Sequence, residues 1–313
     1  MTTETTLPAP RTSSSKQTSV ALRERLITGL IKTSGYSAIV FVLLIFYFLV
    51  ESGLPTLGEV PFGDLFSSRW YPIEEYFGLL PLISGSIVVT IGALIVAFPL
   101  GMGTAIYIAE IAPRQAREVL KPLVELLAGL PSVMLGFLGI ITLSPLLRRM
   151  LDLPTGLSAL TASLLLGFIS LPTIVSVAED ALDAVPKSYR DAALAMGATD
   201  WQTIWRVTVP AARSGIFTAV MLGVGRAIGE TMTVMMVAGN APVLPTGLGV
   251  FLSPVRTMTA TIAAEMGEVA QDSTHFHVLF FVGIALFLIS LIVNVTASLV
   301  IFRQVKRSER ILS

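Results

Sequence analysis

Residues Pro186 to Pro210 read PKSYRDAALAMGATDWQTIWRVTVP and are the most informative part of the sequence. They form a polar, amphipathic segment between two long apolar runs, and a chain needs far fewer residues simply to turn around. Gly197 divides the segment, because glycine is costly inside a helix and readily adopts the positive φ of a helix C-cap. The pattern therefore predicts two short helices that hold something, the alternative being a passive connector.

The second of these helices has its own start and stop signals. Thr199 and Gln202 have the spacing of a capping box, and Pro210 predicts the end of the helix. Helical spacing further predicts one common face for four residues: Trp201, Ile204, Trp205 and Thr208.

Composition places the chain in a lipid bilayer. Of its 313 residues, 53% are hydrophobic and 13% charged, with a mean hydropathy of +0.79, whereas a soluble domain carries about 25% charged residues. The net charge is zero, so no nucleic-acid partner is expected. The absence of cysteine excludes disulfides and thiolate metal ligands, and two histidines, His275 and His277, are too few for a histidine-based site. No metal site is predicted.

Six apolar stretches follow a beginning rich in Ser, Thr and Pro. Each is near or above the roughly 20 residues that a helix needs to cross a bilayer. They lie at about 33–50, 80–109, 119–145, 157–178, 214–240 and 275–302. The sequence therefore predicts an all-α integral membrane protein with six transmembrane helices in residues 33–302. A disordered, basic tail (1–32) and a short tail (303–313) flank this domain.

The distribution of basic residues predicts the orientation. If both termini are cytoplasmic, most of the 21 Lys and Arg residues fall on the cytoplasmic side, as the positive-inside rule requires. The external Arg148-Arg149 pair is a local exception. This orientation also places Pro186–Pro210 in the cytoplasm and predicts a multi-pass protein of the cell inner membrane.

Aromatic residues and prolines mark two further features. The external segment Glu51–Phe77 is interpreted either as an aromatic belt at the interface or as a short surface helix that helps receive a binding protein; His275 and His277 are assigned to the same interface. Prolines at 99, 131 and 172 predict bends in three spans. The hydroxyls of Ser132 and Thr173, which follow two of these prolines, are candidates to line a pathway, unless neighbouring helices simply satisfy the freed backbone groups.

Two charges lie deep in the fifth apolar stretch, Arg226 and Glu230. A charge at that depth costs at least about 2.5–3.5 kcal/mol, so it is rarely incidental. Spaced i and i+4, the two side chains are expected to share one helix face and to pair, and Thr233 and Asn240 are expected to continue that face. Because an Arg fork suits phosphate or sulfate oxygens, the pattern indicates an anion pathway; a purely structural ion pair is the alternative.

Gly225 and Gly229 form a GxxxG pattern within the same stretch. Two small residues at this spacing let another helix backbone approach closely. The pattern predicts a helix-packing surface there.

The polar segment resembles the EAA loop of ABC-importer permeases. Asp191-Ala192-Ala193, Gly197, Ile204 and Val209-Pro210 carry the resemblance, although Asp replaces Glu, Val replaces Leu and the isoleucine is displaced from the proline. In that family the loop is the coupling helix that docks into a cytoplasmic ATPase. The resemblance implies an ATPase contact made by Asp191, Ala192, Ala193, Gly197, Trp201, Ile204 and Pro210.

A second resemblance, over residues 80–300, narrows the family. The sequences GRAIGETM at 225–232 and VAGNAP at 237–242 are similar to the C-type permease subunit (PstC) of phosphate ABC importers. This implies a type I ABC-importer permease fold and a heterodimer with a sister phosphate permease. It also implies two copies of a cytoplasmic ATPase, an extracytoplasmic phosphate-binding protein, and Arg226 and Glu230 as transport residues.

The chain is expected to be a transport subunit without an ATPase site of its own. It contains no GxxxxGK[ST] sequence, so no cofactor is predicted and the partner ATPase is expected to bind ATP and Mg²⁺. Two alternatives remain: a permease for another oxyanion, sulfate or molybdate, and a stand-alone secondary anion carrier. The second alternative would leave Pro186–Pro210 without a role.

Overall fold

The computed structural model describes residues 14–247 and 249–312 and is almost entirely helical. The chain divides after Glu51 into two units, of which the first contains most of helix α1. Residues 1–13 of the predicted tail lie outside the described residues. From Ser14 onward the tail is helical and continuous with the first span, because the run at 21–26 consists of strong helix formers.

The elements follow one another with short connections. They are α1 (Ser14–Gly53), α2 (Thr56–Glu59), α3 (Phe62–Leu65), β1 (Trp70–Tyr71), β2 (Tyr76–Phe77), α4 (Leu80–Ile106), α5 (Arg114–Ala128), α6 (Ser132–Leu138), α7 (Ser144–Met150), α8 (Ala159–Asp183), α9 (Lys187–Ala195), α10 (Asp200–Thr203), α11 (Val209–Ala211), α12 (Arg213–Gly229), α13 (Met232–Val237), α14 (Met258–Glu265) and α15 (Thr274–Leu312). Single π-helical turns follow α4, α6 and α10.

The predicted all-α membrane architecture is confirmed. Five helices of the described residues are long and apolar enough to cross a bilayer, and a bent pair makes six if it is counted as one span. The five are Glu24–Glu59, Leu80–Ile111, Ser132–Met150, Ala159–Asp183 and Thr274–Thr296, and the bent pair is Asp200–Ala211 with Arg213–Gly229, at 71°.

Helices α4, α8 and α12 form the centre of the second unit. Small residues make the close contacts: a Cβ built at Gly167 would lie 3.0 Å from the carbonyl oxygen of Ala93, and one built at Gly223 would lie 2.6 Å from Ile174. Such residues let helices approach closely where lipid supplies no hydrophobic driving force. Pro99 and Pro172 lie inside the continuous helices α4 and α8.

Two predicted spans have different boundaries. The stretch at 119–145 is divided, since α5 ends at Ala128 and the span begins at Ser132. Pro131 explains the break, because a proline removes a backbone donor and disfavours helical geometry in the residue before it. The stretch at 214–240 is divided at Glu230, which has an extended ψ of 126°.

The segment between α1 and α4 folds into two one-turn helices and the β1–β2 hairpin, rather than the single surface helix of one interpretation. Trp70 and Phe77 are buried against α14 and α15, whereas the other four aromatic side chains of the segment are exposed. The hairpin is thus anchored by one residue of each strand.

A polar cluster around Glu265 lies next to the hairpin and includes Trp70. The carboxylate accepts a hydrogen bond from Trp70 Nε1 (3.2 Å), contacts His275 Nε2 (2.8 Å) and pairs with Arg256. Burial, the largest single effect, raises the pKa of Glu265, but the His275 hydrogen bond, the charge of Arg256 and the Trp70 hydrogen bond together leave the pKa below its ordinary value. His275 is therefore part of this cluster, while His277 contacts Glu59.

Candidate transport site and coupling loop

The candidate transport site lies where the fifth span is interrupted. Helix α12 ends at Gly229, Glu230 is extended, and α13 begins at Met232. The freed carbonyl oxygen of Glu230 accepts a hydrogen bond from Thr259 Oγ1 at 3.1 Å. Thr259 belongs to α14. Sequence reasoning missed this residue, since no local pattern connects it to position 230.

Arg226 and Glu230 do not form the predicted pair. The i, i+4 geometry is lost because the chain leaves the helix at Glu230, and among the described residues neither side chain makes an ion pair. Glu230 Oε1 instead accepts the backbone N–H of Thr233 at 3.3 Å and so caps the start of α13. The prediction of one polar helix face through these residues is wrong for the same reason.

Arg226 is exposed on the surface of this single chain. Its one hydrogen bond to a described residue is long, 3.5 Å from Nη1 to Thr173 Oγ1 in the middle of α8. A guanidinium has five N–H donors in a planar fork, so most of the donors of Arg226 are available to the oxygens of an anion.

The remaining predicted pathway residues surround the break. Thr233 is buried and its hydroxyl donates to the carbonyl oxygen of Ser132 at 2.8 Å, which joins α13 to α6. Asn240 has a positive φ of 50° and donates to the carbonyl oxygen of Met235 at 2.7 Å. Its buried Oδ1 has no hydrogen-bond partner in the described part of the chain.

The two glycines of the GxxxG pattern are not packed against another helix of the described residues. A Cβ built at Gly225 or at Gly229 would have no described atom within 4 Å, whereas Gly215 and Gly223 are in close contact with α8. The two glycines of the pattern therefore present an uncovered surface, and their packing against another helix stays a prediction.

Residues Pro186–Pro210, called the coupling segment from here on, have the predicted division into two helices. Helix α9 ends beside Met196, and Gly197 has a φ of +83°. Both hydrogen bonds of the capping box form, from Thr199 N to Gln202 Oε1 (3.1 Å) and from Gln202 N to Thr199 Oγ1 (3.3 Å). The helix ends at Ala211, directly after Pro210, as predicted.

The predicted common face of the second helix is only partly present. Trp201 and Trp205 are exposed, with ring centroids 5.6 Å apart, but Ile204 and Thr208 are buried. Ile204 instead packs into the buried cluster at the end of α8. Thr208 ends a π-helical turn, Ile204–Thr208, whose added residue rotates the side chains that follow. Asp191 and Ala192 of α9 are exposed, and Ala193 is half-buried.

Arg190 attaches α9 to the membrane helices α4 and α8. Arg190 Nε lies 3.1 Å and Nη2 2.5 Å from the carboxylate of Glu110, and two further N–H groups donate to the carbonyl oxygens of Val185 (2.8 Å) and Leu182 (2.9 Å). Sequence reasoning missed this pair, since the two residues are 80 positions apart.

A second ionic cluster joins α5 to the end of α8. Glu179 is buried and pairs with Arg117 Nη2 (2.9 Å) and Lys121 Nζ (2.8 Å), and Arg117 also pairs with Asp183. The hydrogen bond to Glu179 raises the pKa of Lys121 above its ordinary value, although burial opposes this effect. Opposite charges therefore hold α5 against α8.

Comparison with known proteins identifies the family. A family model described as "Binding-protein-dependent transport system inner membrane component" matches residues 97–307. A probable ABC transporter permease protein of Bacillus subtilis, YqgH, is 40% identical over 248 residues, which cover 78% of this chain and 79% of the relative. The phosphate transport system permease protein PstC of Mesorhizobium japonicum is 35% identical over 266 residues, with 79% and 80% coverage.

A solved structure shows the same fold. A chain of a bacterial alginate ABC transporter, solved in complex with an alginate pentasaccharide-bound periplasmic protein, aligns with a TM-score of 0.61 at 15% identity; the match covers 88% of this chain and 94% of that chain. The type I ABC-importer permease fold predicted from the sequence is confirmed. The chain therefore belongs to the binding-protein-dependent transport system inner membrane component family, the permease subunits of ABC importers.

Proposed function

We propose that this chain is the C-type permease subunit of an importer for inorganic phosphate. The PstC relatives are the observation that carries the proposal. The exposed guanidinium of Arg226, beside the Thr173 hydroxyl at the level of the broken span, supports it, because a planar fork of donors can hold two oxygens of one phosphate.

Within this proposal the pathway residues have two kinds of role. Arg226 and Thr173 contact the anion as it passes. Glu230, Thr233, Ser132 and Asn240 hold the ends of the interrupted span in place, and their contacts support this role.

The proposed partners follow from the uncovered surfaces and from the family. A sister permease packs against Gly225 and Gly229 and completes the pathway. Two copies of an ATPase bind ATP and Mg²⁺ and receive the coupling segment on the cytoplasmic side, where both termini also lie. An extracytoplasmic phosphate-binding protein delivers the anion to residues 33–302, the proposed permease domain.

The proposed mechanism is alternating access. Closure of the paired ATPases moves the exposed part of the coupling segment, and the packed helices transmit this movement to the break at Glu230. Arg226 is then accessible first from outside and later from inside. For ATP hydrolysis to drive net import, the outward-facing and the inward-facing state must bind the anion with different affinities.

The test is uptake by the assembled complex in proteoliposomes, with the binding protein and ATP supplied. Labelled phosphate should accumulate, and unlabelled phosphate should compete far better than sulfate or molybdate. Uptake of sulfate or molybdate in preference to phosphate would assign the chain to another oxyanion. Uptake by the chain alone, without the ATPase, would identify a secondary carrier.

A further inference from the structure

Arg190 points into the chain and makes contacts there that docking of the coupling segment onto an ATPase does not require. Within α9, five of nine side chains are polar or charged, yet Arg190 alone among its charged residues is not exposed. Its side chain is 20% exposed and that of Glu110 is 8% exposed. An ion pair withdrawn this far from water has to be well hydrogen-bonded to offset its desolvation cost.

The hydrogen bonds of Arg190 reach two different membrane helices. Glu110 lies in the π-helical turn that continues α4, while Leu182 and Val185 lie at and just after the end of α8. The guanidinium thus joins α9 to the cytoplasmic ends of both central helices through one planar group. A lysine cannot reproduce this arrangement, because an ammonium group lacks the fork of coplanar donors.

The position of Glu110 adds a second observation. Single π-helical turns are frequent at functional sites, and this one, at the end of α4, places Glu110 directly against Arg190. By contrast, the Arg114–Glu118 pair a few residues away is an i, i+4 pair that is 91% and 64% exposed. Exposed pairs of that kind contribute little.

We infer that Glu110 and Arg190 form a transmission clamp, through which movement of the coupling segment reaches α4 and α8 together. The inference rests on the proposed function and names positioning residues for it, since neither side chain contacts the anion. Without the clamp, α9 loses its ionic link to α4 and its side-chain hydrogen bonds to the end of α8, so that it can move independently of α4. ATP hydrolysis then continues while transport per ATP falls.

The first experiment compares Glu110→Gln and Arg190→Lys with the control Glu118→Gln in the assembled complex. Phosphate imported per ATP hydrolysed is the readout, because a merely structural role would change the amount of complex and not this ratio. We expect the ratio to fall about tenfold in both clamp variants, a size typical of coupling between sites, and to be unchanged in Glu118→Gln. Wild-type ratios in both clamp variants would overturn the inference.

The second experiment restores the link covalently. The chain contains no cysteine, so in a Glu110→Cys/Arg190→Cys variant a short bifunctional thiol reagent joins only these two positions of the chain. The ratio should be low before cross-linking and recover afterwards. Two results would count against a transmission role. The first is an assembled, cross-linked complex whose ratio does not recover, and the second is a failure of every clamp variant to assemble even after cross-linking.

The substrate is checked separately in the wild-type complex. If that complex imports another oxyanion and not phosphate, the proposed substrate is wrong, and the clamp is then measured with the other anion. If the complex imports phosphate and the clamp variants couple normally, only the clamp is wrong.

Discussion

Arg226 on α12 and Thr173 on α8 are joined by a long hydrogen bond of 3.5 Å at the level where the fifth span is interrupted. The contact is weak for a charged donor, and no other described residue accepts a hydrogen bond from the guanidinium. In the proposed pathway, an anion that arrives at this level displaces the hydroxyl at little cost. Such an arrangement would favour the transient binding that transport requires.

Arg226→Gln tests the role of this guanidinium. The substitution keeps a donor near Thr173 but removes the charge and the bidentate fork, so phosphate uptake should fall by about a hundredfold or more, as expected for a lost charge-assisted contact to an oxyanion. The complex should assemble normally, because Arg226 is exposed and makes no ion pair with a described residue. Arg226→Lys is the matched control and should retain part of the uptake. Wild-type uptake by the Gln variant would exclude a role of Arg226 in anion binding.

Glu230 has a structural contact that can be separated from its charge. Its carboxylate caps α13 by accepting the N–H of Thr233, and loss of a cap costs about 0.5–2 kcal/mol. Glu230→Ala should therefore lower the thermal stability of the purified chain, whereas Glu230→Gln should keep most of the stability because an amide oxygen also accepts. Melting curves and uptake are measured together on both variants. Lower uptake by the stable Gln variant would assign a transport role to the charge of Glu230. Equal stability of the Ala and Gln variants would contradict the capping role.

The conformation of Gly197 is the basis of a third prediction. Its φ is +83°, and a Cβ built there meets no described atom within 4 Å, so Gly197→Ala introduces backbone strain of about 1–2 kcal/mol and no steric clash. We expect less phosphate imported per ATP hydrolysed. Gly197→Asn should be milder, because asparagine tolerates this conformation. Gly103→Ala is the control, because Gly103 is a helical glycine that is equally uncrowded. Equal coupling in Gly197→Ala, Gly197→Asn and Gly103→Ala would show that coupling does not need the turn at Gly197.

Much of this fold could be predicted from the sequence, because its signals are local. The capping box at Thr199, the positive φ of Gly197 and the helix end after Pro210 each depend on a few neighbouring residues. Hydropathy likewise located the spans, since any apolar run of sufficient length has to be covered by lipid or protein.

The candidate site was harder to predict, because its contacts join distant parts of the chain. Periodicity placed Arg226 and Glu230 on one face, but it assumed an unbroken helix. The break at Glu230 is stabilised by Thr259, a residue of another helix, and by the packing of Thr233 on Ser132. Such contacts override the local helical preference, and no spacing rule contains them.

The Glu265 cluster predicts a pH dependence of stability. Because the folded-state pKa of Glu265 is below its ordinary value, the ionised carboxylate stabilises the fold above the unfolded-state pKa, and this contribution is lost as the pH falls through the lower folded-state pKa. Glu265→Gln should therefore reduce thermal stability at pH 7 and make it less sensitive to acid below about pH 4.5.

Two observations control this measurement. Glu268→Gln alters an exposed carboxylate for which the described residues offer no ion pair, so it should leave the acid profile unchanged. Identical acid profiles for wild type and Glu265→Gln would mean that the cluster does not contribute to stability through its charge.

The uncovered glycines of α12 give the last prediction. Nothing described lies within 4 Å of a Cβ at Gly225, whereas Gly223, two residues earlier, faces Ile174 at 2.6 Å. If a sister permease packs on the outer surface, Gly225→Leu should leave the isolated chain stable and weaken its assembly, because a large side chain separates the two backbones. Gly223→Leu should instead destabilise the chain itself by overpacking, by about 1–3 kcal/mol. Co-purification with the sister subunit and melting of the isolated chain separate these effects, and normal assembly of Gly225→Leu would place the interface elsewhere.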